Sequence, residues 1–155
     1  ETISAILNSP LAAAYVYAYS TGRSITKRVY KEIPIPPNLD SFSEKISGMV
    51  KNYLKTIEEC NYQEAHLKIL EIDAFILELY KLSPEYEHKL LKIFYDQKRP
   101  VPFEFLRYYP KDYNSWIPLK IYISQEYNQA TLNKFIDSFP KIKSKKTINF
   151  LQEFN

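Results

Sequence analysis

LDSFSEKISGMVKNYLKTIEECNYQEAHLKILEIDAFILELYKLSPEYEHKLLKIF, residues 39–94, carries the pattern that decides the fold. Phe42, Ile46, Met49, Val50, Tyr53 and Ile57 recur at helical spacing, while Lys45, Lys51, Lys55 and Glu58 fill the other faces. Past a break at Asn61, Ala65, Ile69, Ile72, Ile76 and Leu79 repeat the stripe. Two apolar stripes of similar length on either side of a short polar turn predict an antiparallel helical hairpin. Ser83-Pro84 then opens a third helix, expected to run to about Tyr95, with Glu85 and Glu87 in the first turn, where carboxylates favour the helix dipole.

Toward the N-terminus, Ile3, Ile6 and Leu7 form a short amphipathic turn, and Ser9-Pro10 reads as an N-cap followed by proline at the first helical position. The helix that follows extends to about Ser20, and Gly22 supplies its stop. RSITKRVYKEIPIPP, residues 23–37, reads as a loop, one helical turn and an extended strap, because Ile33 and Ile35 each precede a proline. Toward the C-terminus, QKRPVPFEFLRYYPKDYNSWIPLKIYIS, residues 97–124, alternates prolines, aromatics and β-formers. It predicts irregular chain with one or two short strands, one of them at Leu119 to Ser124. Two last helices are expected at 130–139 and 144–154, and no internal repeat stands out. The expected fold is mainly α, with residues 1–38, 39–96 and 97–155 as three segments on one core.

With 155 residues and 45% hydrophobic content, the chain is long enough to bury a core of its own. Its two glycines argue against phosphate-cradling loops and tight-turned β-barrels, both of which need residues tolerant of positive φ. Net charge is only +3, and it is unevenly spread. Residues 1–38 carry four basic against two acidic side chains, and 39–96 seven against eleven. Residues 97–140 carry six against four, and 141–155 four against one. The basic charge therefore lies toward the two ends, around an acidic helical middle. The single cysteine, Cys60, has no partner for an internal disulfide and points to a reducing cytoplasm, with the thiol as a bystander. No apolar run of about eighteen residues occurs, so no membrane span is expected. The opening Glu1, in place of Met, suggests a piece of something longer.

Catalytic constellations are sparse. Glu85, Glu87 and Lys89 superficially offer a carboxylate cluster with a lysine, but at a helix start they read better as solvated surface. His66 and His88 lie on helices with no third ligand at metal-like spacing and read as surface histidines. Arg99, Phe103, Phe105, Arg107, Tyr108, Tyr109, Lys111, Tyr113 and Trp116 interleave basic and aromatic side chains, a mixture that can stack on bases and neutralise phosphates. The plainer reading is a cover whose rings pack onto the helical core. The C-terminal KIKSKK is either a phosphate-binding tail or, more plainly, a solubilising one.

Residues 5–38, with AILNSPL (5–11), RSITK (23–27) and IPIPP (33–37), resemble the end of the target-recognition part of prokaryotic restriction-modification proteins: type I specificity subunits, fused methyltransferase-restriction enzymes and related N6-adenine DNA methylases. EIDAFILELYKLSPEYEHKLLKIF (71–94) is similar to a segment of the same proteins in which a helix with an Ile-Asp pair leads to an acidic helix start. The two motifs stand in the expected order, with a spacer helix between them, over roughly residues 3–95. The last sixty residues match nothing in the family clearly, although RPVPF accompanies some of these methylases. The base-holding Asn/Asp-Pro-Pro-aromatic loop is missing, since IPIPPN has the prolines without the flanking groups.

The resemblance implies a non-catalytic DNA-recognition and assembly portion of a methyltransferase or specificity protein, in a prokaryotic cytoplasm. Arg23, Ser24, Thr26, Lys27 and Arg28 would contact double-stranded DNA, chiefly its phosphates, positioning the protein without reading sequence. S-adenosylmethionine would belong to a parent or partner and be bound elsewhere, with a methyltransferase and a restriction subunit or domain as partners. Two other readings stand beside it: a helical scaffold that docks on a methylase or nuclease without touching DNA, and an enzyme built on Glu85, Glu87 or Lys89.

Overall fold

The computed structural model describes residues 1–20, 27–99, 101, 108–110 and 113–124. Its helices are α1 (Thr2–Leu7), α2 (Pro10–Tyr19), α3 (Lys27–Glu32), α4 (Leu39–Glu58), α5 (Tyr62–Tyr80), α6 (Pro84–Lys92) and α7 (Leu119–Ile123). No strand occurs among the described residues. The architecture is mainly α, and α4 packed on α5 is the expected helical hairpin.

The hairpin turn is built from backbone hydrogen bonds. Asn61 N–H donates to the Thr56 carbonyl and Cys60 N–H to Ile57, which requires Cys60 in the left-handed region at φ 55°. Asn61 then caps α5 by accepting the Glu64 N–H. Cys60 is exposed at this tip. Among the described residues three more non-glycine positions are left-handed, Asn38 before α4, Lys81 after α5 and Asp96 after α6.

Helix α5 is the centre of the molecule. Ile72, Ile76 and Leu79 face Ile46 of α4 and Ala5 and Ile6 of α1. Leu70, Ala74 and Leu77 face the opposite way, onto Leu91, Phe94, Tyr108, Tyr109, Tyr113 and Leu119. A helix buried on two sides needs apolar residues nearly all round, and α5 has nine buried positions. Every residue of its expected stripe is among them. The α4 stripe is shallower: Ile46 is buried, Met49, Val50, Tyr53 and Ile57 are half-buried, and Phe42 reaches solvent with its ring edge-on to Phe75. Burying each full aliphatic side chain contributes about 1.5–3 kcal/mol, so the doubly packed α5 carries a large share of the hydrophobic stabilisation among the described residues.

One polar residue interrupts the α5 interior. Asp73 is fully buried and accepts both guanidinium N–H groups of Arg99, which also donates to the Asn8 carbonyl at 2.9 Å. The guanidinium lies 4.9 Å from the Tyr108 ring centroid. Burial pushes the Asp73 carboxyl up while Arg99 pulls it back. Desolvation opposes the charge on Arg99, but facing Asp73 holds it protonated. This residue pair ties α5, the α1–α2 junction and the tyrosine-rich segment together.

The expected strand at Leu119–Ser124 is instead α7. Pro118 leads into it at φ −51°, the Leu119 N–H is taken by the Glu87 carboxylate at 2.8 Å, and Leu119 is wholly buried against α5 and α6. Tertiary packing and a satisfied helix start override the β-propensity of Ile121, Tyr122 and Ile123. Helix α6 ends at Lys92, short of Tyr95, and continues in turns. The expected helices at 130–139 and 144–154, and the KIKSKK tail, lie outside the described residues.

Removing one side of the buried pair strands the other. Asp73→Ala or Arg99→Ala should each cost about 3–5 kcal/mol in urea unfolding followed by circular dichroism, and Asp73→Leu/Arg99→Met should cost less than either. Burial also raises the Glu87 carboxyl above its ordinary 4.5, against the pull of the Leu119 N–H. Folding therefore favours protonated Glu87, and that stabilisation is present in acid and lost as pH rises through the raised value. Glu87→Gln should raise the melting temperature relative to wild type at neutral pH, with the gain vanishing below 4.5.

Candidate nucleic-acid interface

Helix α2 begins at a cap read from the sequence: Ser9 Oγ accepts the Ala12 N–H at 3.3 Å and donates to the Ile6 carbonyl at 2.7 Å. Its buried residues are Pro10 and Ala12, and its far end carries Tyr17 and Tyr19 into solvent. Tyr15 meets Tyr19 one turn on, with ring centroids 4.5 Å apart and planes tilted by 34°. Helix α3 packs on α2 through a sequence with a single inward residue, Val29. Lys27, Arg28, Tyr30, Lys31 and Glu32 are all exposed. Desolvation raises the Tyr15 hydroxyl, and the charge of Glu32 adds to it, as expected where α3 lies beside α2.

The strap that follows buries Ile33 and Pro36 and leaves Pro34, Ile35 and Pro37 outside. The Tyr80 hydroxyl donates to the Pro34 carbonyl at 2.7 Å, fastening the strap to the end of α5. The exposed α3 surface is thus held between a capped helix and a pinned strap. Of the five expected DNA contacts, Lys27 and Arg28 are at this surface; Arg23, Ser24 and Thr26 lie outside the described residues. Arg28 pairs with Glu32 one turn away at 2.9 Å while its side chain stays 85% exposed, so the guanidinium remains open to an anion. Tyr30 is exposed on the same helix, and Tyr17 and Tyr19 are exposed on α2, against which that helix packs; sequence reasoning does not single them out. The available signal is an otherwise alanine-rich helix ending in Tyr-Val-Tyr-Ala-Tyr.

The other candidates fall elsewhere. Arg99, Tyr108, Tyr109 and Tyr113 of the basic-aromatic stretch are buried, so these four serve as core cover. Phe103, Phe105, Arg107 and Lys111 lie outside the described residues. Arg99 also walls a recess of about 450 Å³ with Tyr53, Ile69 and Ile72. Glu85 and Lys89 form an exposed helical ion pair at 2.6 Å, whereas Glu87 turns inward to α7. The two carboxylates do not converge on a common point, and among the described residues no three His, Cys, Asp or Glu side chains gather around a metal-sized space. The histidines are not plain surface residues: His66 is half-buried, its imidazole lowered by burial and by the charge of Arg99, and half-buried His88 stacks on Trp116. Among the described residues no helix is long and apolar enough to cross a membrane.

No protein-family model, curated protein or solved structure matches the chain. Chemically, the α2–α3 surface offers cationic groups that suit phosphates and flat rings that suit sugars or bases.

Proposed function

We propose that the chain is a non-catalytic DNA-recognition and assembly portion of a prokaryotic restriction-modification DNA methyltransferase or specificity protein, working in the cytoplasm. The observation that carries this reading is the packing together of the two segments that resemble such proteins. Ala5 and Ile6 of the first lie on Ile72 and Ile76 of the second, and Tyr80 of the second holds Pro34 of the first. Motifs separated by 32 residues that form one packed unit have a physical reason to occur together.

In this reading, Lys27 and Arg28 with Arg23, Ser24 and Thr26 contact the backbone of double-stranded DNA, and the α4–α5 hairpin sets the distance to a methyltransferase or restriction subunit. S-adenosylmethionine belongs to that parent or partner. The chain supplies register and orientation, which phosphate contacts provide without reading bases. The rival scaffold reading draws on apolar groups left in solvent along the hairpin, Phe42, Leu54 and Leu67 among them. Such groups fit a protein partner better than a phosphate.

Fluorescence anisotropy of the full chain on a labelled mixed-sequence duplex, from about 50 to about 200 mM salt, separates the two readings. Wild-type affinity should fall steeply with salt, and Arg23→Ala/Lys27→Ala/Arg28→Ala should flatten the log–log slope by up to about three units, roughly 0.9 for each phosphate no longer neutralised. Glu32→Gln, which removes the carboxylate beside Arg28, should tighten binding. Absence of binding at low salt, or a triple variant with the wild-type slope, transfers the assignment to the scaffold.

A further inference from the structure

Trp116 is the only tryptophan of the chain, and its side chain is not spent on the core: it is 56% exposed. Nor is it loosely held. Its indole lies parallel to the His88 imidazole, with centroids 3.7 Å apart and planes within 14°. His88 Nδ1 shares a hydrogen bond with Ser115 Oγ at 3.0 Å, so the residue beside the tryptophan fixes the ring beneath it. Glu87, the neighbour of His88, holds the Leu119 N–H just downstream. With one face covered by His88, the exposure belongs to the opposite face and the ring edge. The result is a flat aromatic surface whose orientation is set before anything binds.

This surface borders a groove of about 500 Å³ lined by Pro84, Glu85, His88, Lys89, Lys92 and Trp116. Glu85 is occupied by Lys89. Lys92 is exposed and makes no ion pair among the described residues. A rigid indole face beside an uncompensated ammonium matches two parts of one ligand class, a planar base and the phosphate attached to it. A hydrophobic peptide would use the ring but leave the lysine without a counterpart.

We infer that this groove binds an unpaired nucleotide of single-stranded nucleic acid, its base stacked on the exposed face of Trp116 and its phosphate at Lys92, with Lys89 in support. A paired base is covered on both faces by its neighbours and cannot use such a surface, so the site is distinct in kind from the α2–α3 contact with a duplex. It does not depend on that contact. Sequence preference is weak, because every base has a π-face.

The ring is its own reporter, since indole fluorescence from the full chain arises from Trp116 alone. Titration with a short oligo(dT) at low salt should give saturable quenching that weakens as salt rises. Lys92→Ala should weaken it and flatten the salt slope, and Arg23→Ala/Lys27→Ala/Arg28→Ala should retain it, which separates this site from the duplex contact. In anisotropy with labelled oligo(dT), Trp116→Ala should bind about fivefold to a hundredfold more weakly, the loss of one stacked base. Trp116→Phe should recover part of the loss, and unchanged helical circular dichroism checks that both variants fold. Acrylamide quenching without oligonucleotide quenching would mean an exposed ring with no site and would overturn the inference. So would quenching by a proline-rich peptide in place of oligo(dT), or oligonucleotide quenching indifferent to Lys92→Ala.

Discussion

A carboxylate and a guanidinium removed from water depend on each other, and in this chain that dependence spans most of the described fold. Asp73 sits in the middle of the central helix and Arg99 comes from a segment twenty-six residues on. The same guanidinium reaches the carbonyl of Asn8 between the first two helices and lies over the ring of Tyr108. Desolvating the two charges is costly, and the cost is recovered only with both partners and their remaining hydrogen bonds in place. A near-native arrangement that moves the segment carrying Arg99 off α5 would leave a buried charge unpaired. The ion pair thus discriminates against misassembled packings more than it adds net stability.

The same centre fixes where the surfaces can be. Helix α2 makes contact with both α3 and α6, so the exposed faces of these two helices are positioned by one short, alanine-rich element. The pinned strap and the α7 turn then close the arrangement from either side. The solvent-facing side chains, Lys27, Arg28 and Tyr30 on one helix and Lys89 and Lys92 on the other, play little part in the core. Their chemistry is free to serve a ligand.

Much of this organisation was legible from side-chain spacing. The apolar periods of α4 and α5, the polar break at Asn61 and the Ser-Pro helix starts at 9–10 and 83–84 all stand as read, because each rests on local rules of helix faces, caps and proline. The strand expected near Leu119 failed because it rested on propensity alone, and the burial of Leu119 and the carboxylate of Glu87 come from elsewhere in the chain. The Asp73–Arg99 pair was also out of reach. Asp73 stands between Ile72 and Ala74 on the inner side of a helix, a sign that a cation must be nearby, but nothing local selects Arg99 among twenty-one basic residues. At the candidate interface the basic cluster of residues 23–28 drew attention by composition. The exposed tyrosines of α2 and α3 became visible only once these two helices were seen to pack together.

Four corners among the described residues turn without glycine. Asn38, Cys60, Lys81 and Asp96 hold left-handed backbone beside helices, and a side chain in that region costs roughly 1–2 kcal/mol, less for Asn and Asp. Strain of this kind is spread over boundaries far from Trp116 in sequence and outside the α3 surface, so it represents unused thermal headroom. A lineage moving to hotter surroundings could gain stability at these corners, one glycine at a time, without altering a residue that faces a ligand.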